Sequence, residues 1–197
     1  MRILTMRLLA ALLGAAVTLG FVPAAVAQGK TPSVAQVVAL DECDPHTFNK
    51  VLGPGFCHNV ALGVLGYTTT LSDLFTKAAA GTPDPGWDFE PDTVKIEEGT
   101  ILTIVDQGGE PHTFTEVAKF GGGFIPGLND GQETVSECKG GFKNVAVAKT
   151  RILQGSQTQV TNLSKGEHLF ECCIHPWMRV KVEVKGGDES EMTLGTR

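Results

Sequence analysis

Gly166-Glu167-His168-Leu169-Phe170-Glu171-Cys172-Cys173-Ile174-His175-Pro176-Trp177-Met178-Arg179-Val180-Lys181-Val182-Glu183-Val184 is the stretch on which the fold of this chain turns. Val180, Val182 and Val184 alternate with Arg179, Lys181, Glu183 and Lys185, the period-two pattern of a half-buried strand. Leu169–Cys173 reads as a second extended segment. Pro176 fixes its own φ and biases His175 toward extended geometry, which predicts a defined loop between the two. Cys172, His175 and Met178 fall at intervals of three on that loop. A thiolate, an imidazole and a thioether held close together form a soft donor set. One more imidazole would complete the His₂Cys trigonal site with a weak axial Met that suits copper. Glu110-Pro111-His112-Thr113-Phe114 supplies that histidine, after the apolar run Thr100–Val105 that predicts a buried strand.

C-x-x-H-x-x-M before the last strand, with P-H-x-F about midway through the domain, resembles the cupredoxin (type 1 blue copper) family. The short H-P-W-M-R wording is similar to the ligand loop of amicyanin-like members, rather than the longer loop of plastocyanins. The likeness covers Trp87 to Lys185, about half of the chain. It implies His112 and His175 as imidazole ligands, Cys172 as the thiolate and Met178 as the axial thioether. The implied fold is all-β: a Greek-key β-sandwich of roughly seven or eight strands, with an N-terminal extension containing one short helix. The implied cofactor is one copper ion cycling between Cu(I) and Cu(II), carrying single electrons to or from a redox protein partner through an exposed His175. No second copper site for bond-making chemistry is visible in the sequence, so the expectation is a carrier and not an enzyme. A copper storage or delivery module, using the same ligands without redox turnover, is the alternative.

The five cysteines follow from that assignment. An odd count leaves one unpaired, and export favours disulfides. With Cys172 on the metal, Cys43, Cys57, Cys138 and Cys173 remain for two bridges. Cys43–Cys57 is the preferred first pair, a loop worth about 3 kcal/mol in the chain-entropy model, and Cys138–Cys173 follows by elimination. Successive strand side chains point to opposite faces, so Cys173 should turn away from the face that Cys172 uses.

The start of the chain predicts export. Arg2 and Arg7 form a positive n-region, Leu8–Val22 an apolar core, and Ala25-Val26-Ala27 a cleavage site, so 1–27 reads as a signal peptide. The apolar run is short for a membrane span and ends at Pro23. The expected location is periplasmic or extracellular, with no membrane span in the mature chain. Removing Arg2 and Arg7 leaves 14 Lys and Arg against 22 Asp and Glu, a formal charge of −8. That excess argues against nucleic-acid binding and favours a basic or neutral partner surface.

Residues 28–85 read as a disulfide-containing extension, turn-rich around Cys43 and Cys57, with a short helix from Thr70 to Ala80 closed by Gly81. His46 and His58 beside those cysteines read as polar loop residues. Residues 86–185 read as the copper-binding domain. Within it, 116–149 is a glycine- and turn-rich insertion, of the length often found over functional sites. Residues 186–197 read as a polar tail.

Overall fold

Valine and isoleucine at alternate positions build two four-stranded sheets. The computed structural model describes residues 32–58 and 68–186; the expected signal peptide and nearly all of the tail lie outside the described residues. The first sheet has the order β2-β1-β4-β8, from β1 (Val34–Leu40), β2 (Asp88–Glu90), β4 (Ile101–Asp106) and β8 (Gln157–Val160). The second has the order β3-β10-β9-β6, from β3 (Thr93–Glu97), β6 (Thr115–Val117), β9 (Gly166–Glu171) and β10 (Arg179–Lys185). A short ribbon pairs β5 (His112–Thr113) with β7 (Arg151–Ile152).

The inward residues of both sheets meet in one core. Val37 and Ala39 of β1, Leu102 and Ile104 of β4, and Phe170, Val180 and Val182 of the second sheet belong to the same buried cluster. This mostly β architecture is a sandwich. Val180, Val182 and Val184 point inward from β10 while their neighbours are half-buried or exposed.

Two expectations for residues 28–85 need correction. First, β1 is an interior strand: it runs parallel to β4, with Val37 opposite Ile104, and antiparallel to β2. The described residues from 32 onward form one compact unit. The pattern hid this strand because Val34 and Val38 place apolar side chains on its outer face as well. Second, the described residues of the segment hold two helices where one was expected. α1 (Pro45–Leu52) lies where a stapled loop was expected. Asp44 caps it, accepting from the amides of His46 (3.3 Å) and Thr47 (3.1 Å), with Pro45 in the first turn. α2 (Leu71–Ala79) is capped by Thr70, which accepts from the Asp73 amide at 3.2 Å.

Cys43 is bridged to Cys57 across α1, and Cys138 to Cys173, leaving Cys172 as the free thiol. The 116–149 insertion is irregular, with three 3₁₀ turns and α3 (Val145–Lys149). It has a small core of its own, in which Val135, Cys138 and Val147 pack with Val117 and Cys173. Its approach to the ligand loop is close: the Phe124 amide donates to the Cys173 carbonyl at 2.8 Å. A Cβ on Gly123 would overlap that carbonyl, so only glycine passes there.

Candidate metal centre

The loop after β9 and the ribbon strand β5 deliver donors to one point. One donor atom from each of His112, Cys172 and His175 lies within 4.8 Å of the others, and all three residues are buried. Nδ1 of His112 and Nδ1 of His175 each stand 3.9 Å from Cys172 Sγ. The loop is closed by its own backbone: the Met178 amide donates to the His175 carbonyl (3.0 Å) and the Cys172 amide to the Met178 carbonyl (3.1 Å). Met178 is fully buried in the same core cluster as Cys172. Cys173, one residue on, joins the insertion's cluster instead. The Thr113 amide donates to Cys172 Sγ at 3.4 Å, and Thr113 Oγ1 accepts from the Cys173 amide at 2.7 Å.

Each imidazole is held from behind by a carboxylate. His112 Nε2 donates to Asp41 Oδ2 at 2.9 Å, and His175 Nε2 donates to Glu110 Oε2 at 3.1 Å. A proton used on Nε2 leaves Nδ1, the nitrogen facing the thiol, free to ligate; such outer partners set ring orientation and raise ligand basicity. Asp41 is itself fixed, accepting from the amides of Glu110 (2.9 Å) and Cys43 (3.2 Å). A Cβ on Gly108 would overlap its carboxylate, which explains that glycine. Asp106 completes a second buried group with Asp41 and His112, and burial pushes it up to about 7.

The electrostatics follow from this packing. Burial opposes ionisation of the Cys172 thiol, but hydrogen bonds and charge from His112 and His175 bring it well below its ordinary value. Burial likewise opposes the charged imidazoles. Asp41 and Cys172 overcome it at His112, which is raised well above its ordinary value; Cys172 and Glu110 overcome it at His175, raised to about 9. Without metal the packing therefore favours a thiolate at Cys172 and charged rings at His112 and His175. A deprotonated soft donor beside two oriented imidazoles, with a thioether on the same loop, fits copper.

Two further points separate structure from expectation. His175 is only 2% exposed, so the exposed edge expected of it is absent. Trp87, Trp177 and Glu110 surround the ring, with centroids of the two indoles at 6.2 and 5.5 Å. His168 stays away from the centre, paired with Glu116 (2.6 Å) and the Ser164 carbonyl (2.8 Å). His46 and His58 are exposed and belong to no metal-compatible group among the described residues. Asp41 and Glu110 were not anticipated from the sequence. Glu110, two residues before His112, was the more findable; Asp41 offered only an acidic pair beside a cysteine.

Glu171, next to the thiolate, supplies a test of the surrounding packing. It is fully buried, accepts from the Gly121 amide at 3.1 Å, and burial raises it to about 7. A value raised above the unfolded one gives stability that is complete below the unfolded pKa of 4.5 and lost as pH rises through about 7. Glu171→Gln keeps the shape and removes the titration. Relative to wild type it should gain about 2 kcal/mol between about pH 5 and pH 8 in denaturant melts. Parallel pH curves for the two proteins would refute the buried charge.

No protein-family model matches the chain, and no curated protein matches it. Solved structures similar to it include a reduced amicyanin variant at 18% identity, covering 50% of this chain and 73% of that one, with a TM-score of 0.33. A Cu(I) amicyanin variant aligns at 18% identity over 54% and 89%, with a TM-score of 0.34. A purple cupredoxin from Nitrosopumilus maritimus aligns at 15% identity over 52% and 86%, again with a TM-score of 0.34.

Proposed function

We propose that this protein holds one copper ion between His112, Cys172 and His175, with Met178 as a weak axial donor, and carries single electrons through it. The observation that carries this reading is the buried convergence of a thiolate and two imidazole nitrogens, each ring locked by a carboxylate on its far side. Copper bound there supplies a one-electron couple. The residues supply rigidity: His112 rides on a strand ribbon, and the loop 172–178 is closed by two backbone hydrogen bonds. Little ligand movement then accompanies a change of charge. The Thr113 amide withdraws charge from the thiolate, while Asp41 and Glu110 increase the basicity of the imidazoles, so the two effects set the potential against each other. The acidic mature chain favours a redox protein partner with a basic or neutral surface.

Burial of all three donors supports electron carriage over copper delivery, because handing the ion to an acceptor needs ligand exchange at an open position. Copper titration followed by absorption and EPR, then a potentiometric titration, tests the reading. One ion per chain, a thiolate-to-copper band and reversible one-electron behaviour are expected. Rapid loss of the ion to a competing chelator, with no reversible couple, would establish delivery instead.

Copper loading should also release protons. Both imidazoles are raised, His175 to about 9, so near neutral pH the ion displaces about two protons, and fewer as pH passes about 9. Calorimetry in two buffers of different ionisation enthalpy counts them. Heats that do not depend on the buffer would mean that both rings are already neutral at Nδ1 in the metal-free protein.

A further inference from the structure

The two residues that flank the ligand loop 172–178 are both tied to the insertion. Glu171 and Arg179 stand opposite each other on β9 and β10, at the base of the loop. Both reach Gly121: its amide donates to Glu171 Oε2 at 3.1 Å, and its carbonyl accepts from Arg179 Nη2 at 3.2 Å.

Arg179 carries this tie into the loop itself. Its Nε donates to the Pro176 carbonyl at 2.7 Å, between His175 and Met178. Nη2 also donates to Gln132 Oε1 at 2.9 Å, and the guanidinium carbon lies 5.0 Å from the centroid of the Phe120 ring. The carbonyls of His175 and Met178 accept from backbone amides of the loop; that of Pro176 accepts from this side chain. Nε and Nη2 belong to one rigid plane, so together their bonds fix the loop's position against the insertion. Lysine offers a single nitrogen on a flexible stem and cannot reproduce that fork.

We propose that Arg179 is a positioning residue for the metal centre, locking the segment between His175 and Met178 against the insertion. The proposal rests on the copper reading for its purpose, whereas the lock itself is complete without the ion. Hydrogen bonds from a charged donor are stronger than those between neutral groups, so this side chain adds a firm outer hold to the two backbone bonds within the loop. A ligand frame held from outside the metal moves little when the charge of the ion changes. The insertion then serves the centre through Gly121 and Gln132, without supplying a ligand.

The experiment compares hydrogen exchange of the Cys172 and Met178 amides, whose bonds close the loop, in metal-free mature wild type and Arg179→Lys protein. Lysine keeps the charge and loses the fork. Both amides should exchange at least about tenfold faster in the variant, the worth of one charge-assisted hydrogen bond, while amides of β1 and β4 keep their wild-type rates. In the copper form the charge-transfer band and the reduction potential should shift although the net charge is unchanged. Unchanged loop exchange would overturn the proposal. So would equal acceleration across β1 and β4, the mark of a merely structural residue, or a wild-type potential in a variant whose loop opens. Arg179→Gln, with one planar donor in place of the fork, is the second variant should the first not fold, and it should accelerate the same amides. Colour is read first on the wild type. Its absence is failure of the copper reading, and the exchange result then still decides whether Arg179 holds the loop.

Discussion

Copper-loaded Cys172→Ser protein should have no thiolate-to-copper charge-transfer band, whereas Cys173→Ser should keep it. The two cysteines are adjacent and both fully buried, yet they live in different environments. Cys172 lies 3.9 Å from two imidazole nitrogens and accepts from the Thr113 amide. Cys173 faces the insertion and is bonded to Cys138. Serine at 172 removes the only soft anionic donor, so the absorption vanishes and copper binding weakens with it. Serine at 173 instead opens a bridge between residues 35 apart, at a cost of about 3–4 kcal/mol in the chain-entropy model. Its signature is a lower melting temperature with the band retained. A colourless Cys173→Ser protein and a coloured Cys172→Ser protein would reverse the assignment.

The second large effect should come from a residue outside the region that resembles blue copper proteins. Asp41→Ala should lower copper affinity by about 10–100-fold, the usual consequence of removing a carboxylate behind a ligating histidine. Asp41 accepts from His112 Nε2 and from the Glu110 amide, so its loss frees one imidazole directly and loosens the segment carrying the other's carboxylate. Asp41→Asn keeps an acceptor for His112 and should recover part of the affinity while shifting the reduction potential, because the charge is gone. A merely structural role would lower stability and leave the potential of the copper form unchanged. Wild-type affinity in Asp41→Ala would remove the carboxylate from the site altogether.

The legible parts of this protein are those that short-range chemistry specifies. Cys172 and His175 meet because they stand three positions apart on one tight loop, and the alternating valines of β10 mark the strand that follows it. His112 was findable because a proline and a buried strand precede it. The composition of the donor set, one thiol with two imidazoles and a thioether, is likewise a property of the chain alone. Tertiary structure decided the rest. β1 carries apolar side chains on both faces, so only its pairing with β2 and β4 shows that it is interior. That pairing ends at Leu40 and sets Asp41 against His112, 71 residues away. A carboxylate has no periodicity to betray such a partner; the desolvation of the imidazole selects it, and that exists only once the sheets have closed. The covering of His175 has the same origin. Trp177 on its own loop covers one side of the ring, but Trp87 and Glu110 arrive from 88 and 65 residues earlier in the chain, and no local pattern around His175 encodes them.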